Sequence, residues 1–276
     1  MLPIHVINLA REPGRLARIG AALDRFGLPW SRVEGIDRLA APAPDLAAAF
    51  GSGPLSASYP ATAGDMACSL THRRLWEEIA GGRAEAAVVL EDDARLAAGF
   101  PAFAAEGVAA LMAGHGMGVL KLEFWPGPQA SRRRPLGAGL GEGPAGSALY
   151  RLRSGFLGTC GYVLAARGAE ALLARFPALT VPVDHVLFGR SAGMGFDLLR
   201  PGFVNPAPVL HDIAAFASDI RAERLGEAGR TARRRWRDWR TARAEAREVR
   251  AGQAAPVEMT FSCTENRSPP PGLVSP

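Results

Sequence analysis

Three consecutive carboxylates, Glu91, Asp92 and Asp93, follow a short apolar run at residues 86–90 (AAVVL). The run is too short for a helix and contains β-branched residues, so it predicts a buried strand. Adjacent carboxylates repel one another and lose solvation on burial, so they normally lie in water or around a cation. At the carboxyl end of a strand in an open α/β sheet, they face the crevice where such folds bind ligands. Hard oxygen ligands suit Mg²⁺ or Mn²⁺. The alternative is a solvated acidic loop.

Five other polar residues are candidates for the site. Asn8 and Arg11 follow the first predicted strand, and Arg15 lies on the helix after it. For the two arginines, contact with a phosphate and a role as solvated charges on the helix are equally good interpretations. His72 lies within a predicted helix, where a histidine more often packs or caps than catalyses. Asp184 precedes an apolar helical stretch, which makes it a candidate helix N-cap.

The elements that must position these residues alternate between strands and helices. Strands are predicted at residues 3–9, 30–36, 86–90, 118–122 and 155–165, with one or two more within 198–209. Helices are predicted at residues 11–26, 65–79, 103–112 and 167–176 from apolar side chains at helical spacing. A β-α-β opening is typical of an open, largely parallel sheet flanked by helices. The sequence therefore predicts an α/β fold.

Two segments are predicted to be loops. Residues 39–63 are rich in Ala, Pro, Ser and Gly, and we expect a loop there with one short helix. Residues 127–146 are rich in Pro, Gly and Arg, which predicts a mobile loop. Two interpretations of this second loop remain: it closes over a substrate, or it is simply disordered.

The end of the chain has a different composition. Residues 221–250 predict a strongly charged helix with Trp236 and Trp239 on one face. Docking through the tryptophans is the first interpretation, contact with an anionic membrane surface is the second, and nucleic-acid binding is a distant third. Residues 251–276 predict a disordered tail because they contain a triple proline. We therefore expect three parts: a globular domain at 1–220, the basic helix at 221–250 and the tail at 251–276.

The composition favours a globular protein in a reducing compartment. The chain has 276 residues, a net charge of +5 and a hydrophobic fraction of 48%, which is enough for a substantial core. Lys121 is its only lysine, and the abundant arginine is attributed to coding bias rather than to selection for guanidinium chemistry. Cys68, Cys160 and Cys263 are widely spaced and suggest neither disulfides nor a zinc motif. Without a leader or a membrane-spanning run, we expect a cytoplasmic protein, with peripheral contact at the inner membrane face as an alternative.

Several motifs occur in a fixed order along the first four-fifths of the chain. They are Val6-Ile7-Asn8-Leu9 with Arg11 and Arg15, Val33 to Asp37, Gly64 to Trp76, Glu91-Asp92-Asp93, Gly161-Tyr162, Pro182-Val183-Asp184, and Pro208 to Ile220. This ordered set resembles glycosyltransferase family 25, the bacterial lipopolysaccharide and lipooligosaccharide transferases related to collagen galactosyltransferases. Thr71 departs from the usual serine, and His211 stands where a glutamine-like residue is expected.

The resemblance implies a GT-A-like fold that transfers a sugar, galactose first, from a UDP-sugar to a glycan acceptor such as a lipopolysaccharide core. It implies that Asp93, with Asp92 or Glu91, holds Mn²⁺ or Mg²⁺ to neutralise charge on the departing UDP. His211 is a further candidate ligand, because imidazole suits Mn²⁺ better than Mg²⁺.

The remaining roles follow from the same resemblance. Asn8, Arg11 and Arg15 would contact the nucleotide end, with Asp37 near the uracil or ribose. Inversion requires a base for the acceptor hydroxyl, and Asp184 is the candidate, while His72 is placed in the donor or acceptor pocket. The alternatives are a transferase using another nucleotide sugar, a catalytically retired glycan-binding or scaffold protein, and a membrane or nucleic-acid module built on the basic helix.

Overall fold

The computed structural model describes residues 1–213 and 231–262 and divides them into twelve strands and nine α-helices. The strands are β1 (Ile4–Asn8), β2 (Ser31–Glu34), β3 (Ala86–Glu91), β4 (Ala94–Leu96), β5 (Val119–Lys121), β6 (Glu123–Phe124), β7 (Leu136–Glu142), β8 (Ala148–Leu152), β9 (Gly161–Ala165), β10 (Gly202–Asn205), β11 (Val209–His211) and β12 (Ala255–Pro256). The helices are α1 (Pro13–Arg25), α2 (Ala43–Phe50), α3 (Ala63–Gly81), α4 (Gly107–Gly114), α5 (Ala130–Arg133), α6 (Ala166–Arg175), α7 (Val183–Phe188), α8 (Gly195–Leu199) and α9 (Ala232–Arg250). Short 3₁₀ turns occur at Phe100–Ala104 and Pro144–Gly146.

Nine strands form an open central sheet in the order β12-β7-β8-β10-β5-β9-β3-β1-β2, and β4, β11 and β6 form a small second sheet. Among the described strands of the central sheet, β1 pairs in parallel with β2 and β3, and β5 with β10, while the other neighbours are antiparallel. The predicted α/β fold with an open sheet flanked by helices is confirmed. The sheet is mixed because β9 runs antiparallel between β3 and β5.

Strand β3 lies deep in the core and fixes the position of the acidic triplet. Val88, Val89 and Leu90 are fully buried. Val88 and Leu90 pack into one hydrophobic cluster and Val89 into the other, as the period of two along a strand requires. Glu91 ends the strand, so the carboxylates emerge from a rigid element at the carboxyl edge of the sheet.

Helix α3 connects three parts of the site. Its first turn carries a capping box in which Thr62 and Asp65 satisfy each other's backbone N–H groups. Farther along, the Thr71 hydroxyl accepts a hydrogen bond from the Ile36 amide at 2.9 Å, which ties the helix to the segment after β2. The Ser69 hydroxyl accepts the Val183 amide at 3.0 Å, which holds the start of α7 against α3.

The prediction of a mobile loop at residues 127–146 is wrong. Residues 130–133 form α5, and β7 pairs antiparallel with β8. Gly137 is required by close packing, because a Cβ there would lie 2.9 Å from the rings of Tyr150 and Phe203, whereas Gly139 and Gly141 have open space around them. Conversely, the strand predicted from residue 155 begins only at Gly161, because Gly158 has a φ of +113° and breaks the extended backbone.

The expected disorder after residue 250 does not apply to residues 251–262. Strand β12 pairs with β7 at the edge of the sheet, and Val257 and Met259 are buried in the core. These apolar side chains anchor the segment. The rest of the tail, the first ten residues of the predicted basic helix and the Ser218-Asp219-Ile220 motif lie outside the described residues.

Helix α9 does not dock through its tryptophans, which corrects the first interpretation of this segment. Trp236 and Trp239 are 52% and 54% exposed. The helix is held by polar contacts on its opposite side. Arg237 donates hydrogen bonds to the Ser191 and Ala192 carbonyls, both at 2.7 Å, and Glu248 forms an ion pair with Arg190. No described helix is both long enough and apolar enough to span a bilayer.

Candidate active site

A cleft of about 400 Å³ opens at the carboxyl ends of the parallel strands β1, β2 and β3. All of the residues singled out from the sequence line it: Asn8, Arg11, Arg15, Asp37, His72, Glu91, Asp92, Asp93, Asp184 and His211. Helix α3 and the loops after β1, β2 and β3 supply most of its walls. The cleft therefore gathers side chains that are up to 203 positions apart in the sequence.

Asn8 orients the middle carboxylate of the triplet. It is buried, and its Nδ2 donates to Asp92 Oδ2 at 2.7 Å and to the Glu12 carbonyl at 2.9 Å. A guanidinium nitrogen of Arg15 lies 3.6 Å from Asp92 Oδ1. Burial raises the pKa of Asp92 to about 6, and the hydrogen bond from Asn8 opposes that rise. A second positive charge beside Asp92 would favour its ionised form.

Arg11 and Asp37 form an ion pair at one side of the cleft. Arg11 Nε donates to Asp37 Oδ2 at 2.8 Å, and the other oxygen of Asp37 accepts the Leu39 amide at 2.9 Å. The Arg11 side chain remains 33% exposed. Both groups therefore lie where a polar ligand in the cleft can reach them.

Glu91 faces His72 rather than the other two carboxylates. Glu91 Oε1 lies 3.3 Å from His72 Nε2 and accepts the Thr159 hydroxyl at 2.6 Å. His72 is fully buried, and its Nδ1 lies 2.8 Å from the Tyr162 hydroxyl. That hydroxyl also accepts the Trp76 indole N–H at 3.3 Å. The His72 ring is thus fixed by polar contacts at both nitrogens.

Asp93 faces His211 on β11. Asp93 Oδ2 lies 3.1 Å from His211 Nε2, and Oδ1 accepts the Cys160 thiol at 3.3 Å. Burial disfavours the charged imidazolium, yet Asp93 and Glu123 raise the pKa of His211 to about 10. Asp93 is correspondingly ionised, because His211 outweighs the effect of burial and lowers the pKa of this carboxyl. Glu91 and Asp93 therefore have different imidazole partners.

A buried ion cluster that the sequence analysis missed lies behind His211. Glu123 is fully buried and accepts from Lys121 Nζ at 2.8 Å, from Arg132 at 2.9 Å and from the Cys160 amide at 3.2 Å. Burial disfavours ionisation of Glu123, but Lys121, His211 and Arg132 hold its pKa below the ordinary value. The sequence contains one signal for this cluster. Lys121, the only lysine, is two positions before Glu123, and alternate residues of an extended chain share a face.

Asp184 is not a helix N-cap. Pro182 occupies the N-cap position of α7, and Asp184 lies inside the first turn, where its Oδ1 accepts the His185 amide at 2.8 Å. The residue is 9% exposed and lines the cleft. Its position depends on the hydrogen bond between Val183 and Ser69 that joins α7 to α3.

The oxygen donors of the triplet fit a hard divalent cation. Asp92 and Asp93 are adjacent, and both line the cleft. Burial disfavours the charged form of Asp92, and a bound cation would offset that effect. Mg²⁺ and Mn²⁺ prefer such carboxylates in combination with substrate phosphates. His211 contacts Asp93 directly, and its Nε2 becomes a ligand only when neutral.

Comparison with known proteins agrees with this geometry. The family model described as glycosyltransferase family 25 (LPS biosynthesis protein) matches residues 1–187. The match includes the acidic triplet, helix α3 and Asp184, and His211 lies beyond it. A search among curated proteins finds no match. Because the matched region is more than half of the chain, the protein belongs to glycosyltransferase family 25 and is a glycosyltransferase.

Proposed function

We propose that this glycosyltransferase moves a hexose, galactose in the first instance, from a UDP-sugar to a glycan or glycolipid acceptor such as a lipopolysaccharide core, with inversion. The observation that carries the proposal is the cleft in which two arginines, three adjacent carboxylates and a separate carboxylate, Asp184, meet. Positive groups suit the diphosphate of the donor. A separate carboxylate suits proton removal from an acceptor.

The donor is proposed to bind along the α1 side of the cleft. Asn8, Arg11 and Arg15 contact the nucleotide and its phosphates, with Asp37 near the ribose or uracil. This placement is supported by the partial exposure of both arginines, whose side chains are 33% and 22% accessible. Asp92 and Asp93 hold Mn²⁺ or Mg²⁺, which supplies neutralisation of the charge on the leaving UDP.

Asp184 is proposed to act as the base. The acceptor oxygen attacks the anomeric carbon as its proton passes to the Asp184 carboxylate. The bond from the anomeric carbon to UDP breaks in the same step, and UDP leaves with the electron pair. Support comes from the position of Asp184, which lines the same cleft and is held by the Ser69 and His185 contacts.

A panel of UDP-sugars tests the donor assignment. We expect Mn²⁺-dependent release of UDP from UDP-galactose and much slower release from UDP-glucose and the N-acetylhexosamine donors. A preference for another sugar would overturn the galactose assignment, but the assignment as a sugar transferase would stand. Tight, Mn²⁺-dependent binding of a UDP-sugar without release, even with glycan acceptors present, would instead identify a catalytically retired glycan-binding or scaffold protein.

Helix α9 is proposed to rest on the anionic inner face of a membrane, where a glycolipid acceptor would lie. Its exposed residues include both tryptophans and six arginines: Arg233, Arg235, Arg240, Arg243, Arg247 and Arg250. The acids of the helix, Asp238, Glu245 and Glu248, are all half-buried on the docked side. Each tryptophan ring is covered by the guanidinium one turn later, at 4.7 and 4.9 Å. Separated basic and aromatic groups of this kind suit anionic headgroups.

Vesicle co-sedimentation of the full chain tests this contact. We expect binding to vesicles that contain phosphatidylglycerol, little binding to pure phosphatidylcholine, and release by salt. Replacing Trp236 and Trp239 with Ala should weaken binding about tenfold or more. The matched control is Trp30→Ala, away from α9. Equal binding to both lipids, or stronger binding to nucleic acid, would contradict the proposal. Point variants are preferable to truncation because β12 follows α9 and pairs with the central sheet.

A further inference from the structure

We infer that Cys68, His72 and Glu91 form a site for a borderline divalent cation such as Zn²⁺, separate from the Asp92 and Asp93 carboxylates. One ligand atom from each of the three side chains lies within 4.8 Å of the other two, and this is the only such group of three in the described part of the chain. The inference does not depend on the proposed sugar transfer. It gives Glu91 a role different from the one expected from the sequence.

The spacing of the three donors suits a tetrahedral ion. Cys68 and His72 are four residues apart on α3, so they lie one above the other on the same face of the helix. Glu91 ends the adjacent strand β3, and its Oε1 lies 3.3 Å from His72 Nε2. Nitrogen and oxygen ligands of tetrahedral zinc, each about 2.0–2.1 Å from the ion, are about 3.3 Å apart. The His72 and Glu91 donors already have this separation, and the Cys68 sulfur lies within 4.8 Å of both.

The surroundings hold the donors in place. The Tyr162 hydroxyl lies 2.8 Å from His72 Nδ1, and with the proton on Nδ1 the lone pair of Nε2 is directed at the site. The Trp76 indole fixes the same hydroxyl, and Thr159 donates to Glu91 at 2.6 Å. Such outer contacts orient the ligands in many metal sites and set their protonation. Here all of them come from buried or half-buried residues.

The donor set selects the kind of cation. A thiolate together with imidazole favours Zn²⁺ over Mg²⁺, whose ligands are oxygens. Three protein ligands leave one position of a tetrahedral ion open. Because all three side chains line the cleft, that position faces the space in which substrates are proposed to bind. Asp93 belongs to a different set, since its contacts are His211 and Cys160.

Cobalt titration of the metal-free full-length protein tests the site without any measurement of activity. Co²⁺ bound by a thiolate gives a sulfur-to-cobalt charge-transfer absorption, and we expect one equivalent to produce it and Zn²⁺ to remove it. Cys68→Ser should abolish the absorption, and Glu91→Gln should weaken Co²⁺ affinity at least about tenfold. Cys160→Ser is the matched control and should retain the absorption, because Cys160 contacts Asp93.

Two results would overturn the inference: no charge-transfer absorption in the wild-type protein, or an absorption that survives Cys68→Ser. Should Cys68→Ser fail to fold, Glu91→Gln decides the question, because the amide can still accept the Thr159 hydroxyl and only its ligand charge is lost. Asp93→Asn separates this site from the proposed donor cation. It should leave the cobalt spectrum unchanged while weakening Mn²⁺-dependent UDP binding.

Discussion

Replacing Lys121 with Met is expected to lower the free energy of unfolding by about 3 kcal/mol, because it leaves a buried carboxylate with one cation fewer. Lys121 is buried, and its ammonium contacts Glu123 Oε2 and the Gly158 carbonyl. The expected cost is at the lower end of the range for breaking a buried pair, because Arg132 still contacts Glu123. Met retains most of the apolar stem, so little of the loss comes from a cavity. Urea unfolding at neutral pH measures the change.

Two further variants separate charge from packing in this cluster. The exposed Arg133→Met is the matched control and should change the unfolding free energy by less than about 0.5 kcal/mol. The double variant Lys121→Met with Glu123→Gln should be more stable than Lys121→Met alone, because it also removes the buried carboxylate charge that has lost its ammonium partner. A single variant as stable as the control, or a double variant that is less stable than the single one, would contradict the assignment of a buried ion pair.

Replacing Asp184 with Asn is expected to reduce kcat by a factor of about 10²–10⁴, the usual contribution of a general base. Asn has nearly the same shape and can still accept the His185 amide, so the local structure should persist. Binding of UDP with Mn²⁺ should therefore remain within about twofold of the wild type, since the change affects proton removal and not the donor. Steady-state kinetics together with calorimetric UDP binding distinguish the two effects.

Asp197→Asn is the control for this prediction, because Asp197 is exposed on α8 and does not line the cleft. It should retain wild-type kcat and UDP affinity. A wild-type kcat in Asp184→Asn would remove Asp184 as the base. A loss of UDP affinity equal to the loss of kcat would make it a donor-binding residue.

Local sequence patterns were sufficient for the centre of the fold. The apolar run before Glu91 is short, β-branched and followed at once by acids, and it forms the buried strand β3. Helix α3 was predicted from the spacing of its apolar side chains and is two residues longer at each end. The rule that ligands bind at the carboxyl ends of strands also predicted that Asn8 and the acidic triplet lie near one another.

Features that depend on tertiary contacts could not be predicted in this way. The glycines of β7 resemble a loop composition, and the stacked rings of Tyr150 and Phe203 explain the small residue at Gly137 only. β12 is only two residues long, and it forms because it pairs with β7 at the edge of the central sheet. Neither signal is present in the local sequence.

The same limit applies to side-chain partners in the site. Glu91 and Asp93 were grouped because they are close in the sequence. However, the strand ends at Glu91 and the chain turns at the next two residues, so their partners are His72 and His211. The Glu123 cluster was missed because β6 has only two residues and Arg132 lies in a segment predicted to be a loop. Such pairings depend on how α3, β6 and β11 come together.

We propose above all that Asp92 and Asp93, just after β3, hold the cation of a metal-dependent transferase site. Release of UDP from UDP-sugars, with and without Mn²⁺, tests it in the wild type, in Asp93→Asn and in Asp45→Asn, an exposed acid outside the cleft. We expect Mn²⁺-dependent release that falls about 100-fold or more in Asp93→Asn and is unchanged in Asp45→Asn. Release that is insensitive to both Mn²⁺ and Asp93→Asn would contradict the account and place the active site elsewhere.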